Sequence, residues 1–177
     1  YPVIFSFYLS FHNWDGFSPA QFVGFKNYAS LLEDPLFIKA LYNTVYIFLI
    51  STPLQLIGAL FLAALLNLSY IKLKNFFRAA FFLPIVMCIV VISVIFLLLY
   101  DYDYGLINYV LSLLGFTKIP WLVSERWSKI ALILMINWRW TGYNMIIILA
   151  GMQAIPEDIY EAATIDGASQ TAAFFKI

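Results

Sequence analysis

Ile155-Pro156-Glu157-Asp158-Ile159-Tyr160-Glu161-Ala162-Ala163-Thr164-Ile165-Asp166-Gly167-Ala168-Ser169 is a polar stretch that follows directly on a strongly apolar run. It carries its own helix signals. Pro156 suits a first helical position, where its missing N–H has no intrahelical partner to lose. Glu157 and Asp158 follow in the first turn, where carboxylates favour the positive end of the helix dipole. Ala162 and Ala163 are small and helix-favouring, and Asp166-Gly167 is a stop-and-turn signal. The stretch therefore reads as a short helix, a glycine turn and a second helix, set at a membrane surface. Such an element is shaped to be a docking knob.

The composition places the rest of the chain in a bilayer. Of 177 residues, 63% are hydrophobic and only 11% charged, where a soluble domain carries about a quarter charged residues. The formal net charge is zero, so there is no basic signature for nucleic acid. Cys88 and His12 are each the only residue of their kind. An intrachain disulfide and a cysteine-based metal site are therefore ruled out.

Upstream of the quoted stretch, three apolar runs have transmembrane length, residues 40–66, 76–99 and 127–151, against the roughly twenty residues a span needs. Residues 1–11 are apolar but too short, and read as the outer end of a helix. The expectation is an all-α polytopic transmembrane bundle with three complete spans, the end of another, and no β-sheet. Pro53 falls mid-span and is placed to kink it. Ala59 and Ala63 offer small residues at helical spacing for close packing. Residues 12–39 read as an outer loop with a short surface helix before Pro35. Pro84 sits near the inner end of the 76–99 run. The connection at 67–78 holds Lys72, Lys74 and Arg78 and no acid, which argues locally for the cytoplasmic side. Tyr100–Gly105 turns the chain at the outer interface, and Leu106–Leu114 reads as a short surface helix ended by Gly115.

The 127–151 run carries polar groups at its middle. Such groups are costly at membrane depth and face a cavity or a partner. At about 100° per residue, Asn137, Thr141, Asn144 and Met145 share one face, with Trp138 and Gly142 on its flank. Arg139 and Tyr143 point the other way, Arg139 towards a buried partner. Two readings of the polar face stand side by side. It lines a path for a sugar, whose hydroxyls take hydrogen bonds and whose C–H face stacks on rings; or it glues helices together.

Glu161-Ala162-Ala163, three residues, Gly167, nine residues and Ile177 resemble the EAA loop in membrane subunits of bacterial type I ATP-binding-cassette (ABC) importers. In that family the loop is the coupling helix that sits in a groove of the cytoplasmic ATPase. The stretches FVGFKNY, RAAFFLPIV and DYGLINYVLSLLGF are similar to the carbohydrate-uptake branch, the maltose and glycerol-phosphate type. Tyr1 is not an initiator methionine and Ile177 falls in mid-pattern, so the expectation is a single permease domain truncated at both ends, with residues 155–169 as its coupling loop.

The resemblance implies a permease subunit of an ATP-driven importer for a sugar or sugar derivative, multi-pass in the bacterial inner membrane. Ile159, Tyr160, Glu161, Ala162, Ala163, Asp166 and Gly167 would couple it to the ATPase. The implied partners are a second permease, an ATPase dimer, an extracytoplasmic solute-binding protein and membrane lipid. The chain shows no Gly-rich phosphate loop, no nucleophile with its base and no metal cluster. It is not read as an enzyme, and ATP would be used by a partner subunit. Three alternatives stay open: an ABC permease for another small solute such as an amino acid, a secondary transporter, and an integral membrane enzyme. For the last, Asp101 and Asp103 offer the only start.

Overall fold

A computed structural model describes residues 1–68, 70–167, 169 and 172. In chain order the elements are α1 (Pro2–Leu9), β1 (His12–Asn13), β2 (Gln21–Phe22), α2 (Lys26–Glu33), α3 (Pro35–Asn67), α4 (Lys74–Val86), α5 (Ile89–Leu99), α6 (Leu106–Leu113), α7 (Glu125–Gln153) and α8 (Glu157–Ile165). The chain divides into two units, residues 1–48 and 49–177.

Among the described residues, the first unit holds the one departure from an all-helical chain. β1 and β2 pair antiparallel, His12 opposite Phe22 and Asn13 opposite Gln21. The expectation of no β-sheet is corrected by this two-residue ladder. It forms because α1 and α2 hold its ends: the Asn27 amide donates to the carbonyls of Ser10 and His12, at 2.9 and 3.0 Å, and Val23 N–H donates to Phe11 O at 2.8 Å. At the hairpin tip the Phe17 and Ser18 N–H groups donate to Asp15 Oδ1. Hydrogen bonds from Ser18, its side chain foremost, and from Phe17 hold the Asp15 carboxyl at about 2, below its usual 3.8. The surface helix expected before Pro35 is α2, and α3 starts at Pro35 itself, with Leu36 N–H donating to Asp34 Oδ1 at 2.8 Å.

Among the described residues, α3, which runs from the first unit into the second, and α7 of the second unit are long and apolar enough to cross a membrane. The 76–99 run differs from the expectation of one continuous span. It is two helices, α4 and α5, bent by 97° at Met87-Cys88, and counts as a third span only as a broken one. Both break residues are extended, with ψ of 142° and 134°. Pro84 is buried one turn before the break, where its lack of an N–H frees a carbonyl in the preceding turn.

Two clusters hold this unit together. In the first, Ala59, Ala63 and Leu66 of α3 meet Met145 and Leu149 of α7. Ala59 and Ala63 are fully buried, as their spacing predicts. In the second, Tyr100, Trp121 and Ala131 pack together, and the Tyr100 hydroxyl donates to Ala131 O at 3.0 Å. Asn108 of α6, also fully buried, organises the loop above. Its amide donates to Tyr102 O and Ile119 O, and its Oδ1 accepts from Ile119 N–H and Trp121 Nε1–H. One side chain thus satisfies polar groups on both sides of the loop.

The closest approach in the unit is α4 on α7. A Cβ on Gly142 would run into the backbone carbonyl of Phe81. Backbone cannot yield as a flexible side chain can, so Gly142→Ala is expected to destabilise by about 1–3 kcal/mol or more. Gly151 of the same helix meets nothing within 4 Å, so Gly151→Ala should leave stability unchanged or raise it by up to about 1 kcal/mol. Thermal unfolding of the two variants in detergent checks this; equal melting temperatures would refute the assigned contact.

Candidate functional site

α8 is the feature best set up to act on something outside the chain. Pro156 occupies the N-cap, with φ −59° and ψ 143°. The helix therefore begins one residue later than a proline at its first position would give, a shift within the usual scatter of helix ends. Ile159 N–H donates to Pro156 O, and at the other end Asp166 and Gly167 donate to the carbonyls of Ala162 and Thr164. The Thr164 hydroxyl closes back on Tyr160 O at 2.8 Å. Gly167 has φ +82°, the left-handed turn its position requires. Ala168 and Ile177, which complete the sequence pattern, lie outside the described residues.

The surface of α8 divides the expected coupling residues. Tyr160 and Ala163, one turn apart, are half-buried. Ile159, Glu161, Ala162, Asp166 and Gly167 are exposed. Ile165 is 86% exposed and shares a face with Asp158, Glu161 and Ala162 at spacings of seven, four and three. The sequence reading missed Ile165, although an apolar residue one turn past the alanines was the signal. A nine-residue helix with its isoleucines exposed gains little from its own chain; no side chain caps its start, backbone bonds close its last turn, and one face is left free.

The polar face of α7 is put to mixed use. Asn137 Nδ2 donates to Ser51 Oγ of α3 at 3.1 Å and to Ile133 O at 2.8 Å. The Thr141 hydroxyl donates to Asn137 O at 2.6 Å. Gly142 and Met145 do not line an opening in this chain: the first lies against Phe81, the second is fully buried among Ala59, Ala63 and Leu66. Asn137, Gly142 and Met145 join helices; the Thr141 hydroxyl bond stays within α7, with its Cγ2 beside Gly58 of α3. Trp138 keeps 44% of its surface exposed, its ring 5.3 Å from that of Phe96, and Asn144 is half-buried. Arg139 lies beside the Trp140 ring, 5.7 Å from its centroid. Its buried Nε finds no hydrogen-bond partner among the described residues.

Two cavities flank α7. One of about 350 Å³ lies beside α5, lined by Ser93, Phe96, Tyr100, Ser128 and Met135 among others. It lies between α5, beyond the break, and the first half of α7. The other, about 120 Å³, is lined by Arg78, Ile146, Leu149, Ala150 and Gln153. Arg78 near the start of α4 and Gln153 at the end of α7 therefore share one end of the unit. The basic connection at 67–78 and the α7–α8 connection lie on the same side.

Comparison with known proteins bears on both features. The family model for the binding-protein-dependent transport system inner membrane component matches residues 34–177. The chain is 41% identical over 169 residues to the lactose transport system permease protein LacF of Rhizobium radiobacter, covering 94% of this chain and 56% of that protein. It is 38% identical to the sulfoquinovosyl glycerol transport system permease protein SmoG of Agrobacterium fabrum, covering all of this chain and 58% of that one. Among solved structures, a bacterial ABC transporter that imports the acidic polysaccharide alginate superposes with a TM-score of 0.82 at 23% identity, over all of this chain and 60% of its own. The chain thus spans somewhat more than half the length of the relatives it matches.

The Asn137–Ser51 contact separates the two readings of the polar face. Ser51 is 4% exposed, so Asn137→Ala strands its hydroxyl. A double-mutant cycle with Ser51→Ala should give a coupling of about 0.6–1.7 kcal/mol in thermal stability, the range for hydrogen bonds between membrane helices. The single variants should shift the melting temperature alike and leave the apparent KM for solute unchanged. A KM change in Asn137→Ala alone would instead put Asn137 in the solute path.

Proposed function

The chain belongs to the family of binding-protein-dependent transport system inner membrane components, in its carbohydrate-uptake branch, and from that premise we propose that it is the coupling part of a permease subunit in an ATP-driven importer of a sugar or sugar derivative. The observation that carries the proposal is α8: a short helix closed at its C-terminal end, following directly on a transmembrane helix, with Ile159, Glu161, Ala162 and Ile165 exposed.

In this reading α8 sits in a groove on a cytoplasmic ATPase subunit. Ile159 and Ile165 supply apolar contact, Ala162 allows close approach, and Glu161 offers a charged bond. ATP binding and hydrolysis belong to that partner. Movement of the ATPase pair displaces α8 as a rigid body, and Ala154 to Pro156 passes the displacement to α7. α7 in turn carries α3 and α4 through Met145 and Gly142. The exposed Trp138 and the half-buried Asn144 offer solute a ring and an amide of the kind a sugar uses; Asn137 and Thr141, half-buried like Asn144, are engaged in hydrogen bonds. A second permease completes the path, and an extracytoplasmic binding protein delivers the solute. The seat of the assembly is the bacterial inner membrane. Support comes from relatives named as lactose, arabinooligosaccharide and galactooligosaccharide permeases, and from an alginate importer solved with its periplasmic protein.

The membrane-enzyme alternative loses its starting point. Asp101 Oδ1 accepts from the Asp103 and Tyr104 N–H groups, and Asp103 lies 3.9 Å from the Lys118 ammonium. Both carboxylates are engaged in shaping the turn.

Glu161→Lys reverses a charge on the exposed face. Gly167→Val forces a β-branched residue into a left-handed backbone that such residues avoid. Each variant should reach the membrane at wild-type abundance yet lose ATPase subunit on co-purification, with uptake down about tenfold for each 1.4 kcal/mol of docking energy lost. Normal ATPase retention and normal uptake in both variants would refute the coupling role.

A further inference from the structure

From Pro35 to Tyr100 the chain carries no acidic residue, yet Lys72, Lys74 and Arg78 fall together within it. Lys74 and Arg78 are one helical turn apart on α4 and share a face. The first turn of α4 holds no acid and no side chain caps it, so the positive end of its dipole adds to the lysines. Leu73 enters the helix at φ +59°, a conformation that turns the chain sharply and keeps Lys72 and Lys74 close to the helix end.

Arg78 reaches into the 120 Å³ cavity between α4 and α7. The Nε of its half-buried side chain is buried and has no hydrogen-bond partner among the described residues, a costly state for a polar donor. The wall of the cavity is apolar, Ile146, Leu149 and Ala150, and Gln153 adds an amide at its mouth. The carbonyl end of α7 contributes about half a negative charge nearby, too little to balance three cations. Asp158 of α8 is exposed and makes no ion pair with them among the described residues.

We propose that this cavity holds the phosphate of an anionic phospholipid from the cytoplasmic leaflet, with Arg78 as its hydrogen-bonding anchor, Lys72 and Lys74 as its charge screen, and Ile146 and Ala150 as the track for an acyl chain. Charge complementarity sets the anion. The apolar wall, on a helix that spans the bilayer, sets a lipid as its carrier in place of free phosphate. Basic clefts between membrane helices on the cytoplasmic side are suited to such headgroups, each cation contributing about fivefold in affinity. The site is separate from α8 and from the polar face of α7, so it stands whether or not the coupling proposal does.

The test is native mass spectrometry of the full-length permease, in its assembled complex, released from nanodiscs of equal phosphatidylglycerol and phosphatidylcholine. Wild type should retain phosphatidylglycerol in clear preference, Arg78→Gln should lower that preference about fivefold, and Arg78→Lys should keep most of it. The Lys72→Gln/Lys74→Gln double variant leaves the α4–α7 contact untouched and reads the site even where Arg78→Gln fails to assemble; it should also lower the preference. Equal lipid selectivity in wild type and the double variant overturns the proposal. So does displacement of the lipid by millimolar inorganic phosphate, which would mark a free-anion site. Loss of a partner subunit from Arg78→Gln with lipid selectivity intact overturns it too, in favour of a carboxylate on that subunit.

Discussion

The close approach of the Phe81 backbone to Gly142 sets the geometry of residues 49–177. Without a side chain at position 142 the two helix backbones come nearer than any Cβ permits. Helices in lipid gain no hydrophobic energy from meeting, so close packing of this kind has to supply the attraction. Once α4 is fixed on α7 at this point, the neighbouring pairs are fixed too. Towards one end Arg78 comes level with Gln153; towards the other Trp138 meets Phe96 across the break in the chain. Met145 and Leu149, one and two turns on, are then turned towards Ala59 and Ala63 of α3.

The 97° break between α4 and α5 is the second consequence. A continuous helix would keep its backbone groups paired, whereas the extended residues Met87 and Cys88 leave carbonyls and N–H groups open at a helix end on each side. Such backbone is tolerated at membrane depth only where protein covers it or a wet cavity reaches it. The cleft beside α5 and the half-exposed Trp138 lie on the far side of this break. Two polar side chains elsewhere hold parts together: the buried Asn108 with bonds to both sides of the outer loop, and the half-buried Asn137 with its Nδ2 bond to Ser51. α8 is the contrast, a helix closed at its C-terminal end by backbone bonds from Asp166 and Gly167 and left uncovered on one face.

Class, membrane residence and family were legible in the sequence because each rests on local chemistry. Apolar runs long enough to cross a bilayer mark helices whatever their neighbours. The lack of acids beside Lys72, Lys74 and Arg78 is a property of the chain alone. Gly167 announced its own left-handed turn, and the spacing of Ala59 and Ala63 announced a packing stripe. These readings need only period, propensity and charge.

The tertiary structure decided what those residues face. Periodicity placed Asn137, Thr141, Asn144 and Met145 on one side of α7, but could not say that Met145 would be sealed by α3 while Trp138 on the flank stayed open. Pro84 marked a weak point in the run, but an apolar run reads the same whether continuous or broken and hydrophobicity does not encode backbone direction, so the 97° bend after Val86 was not legible. The hairpin at His12 and Phe22 escaped notice for a related reason. Its two short strands have no periodicity of their own and exist through the Asn27 side chain, fifteen residues from the nearer carbonyl it binds. Sequence alone determined what the segments are and where they can live. Contact between residues far apart in the chain decided which surfaces remain for solute, lipid and partner.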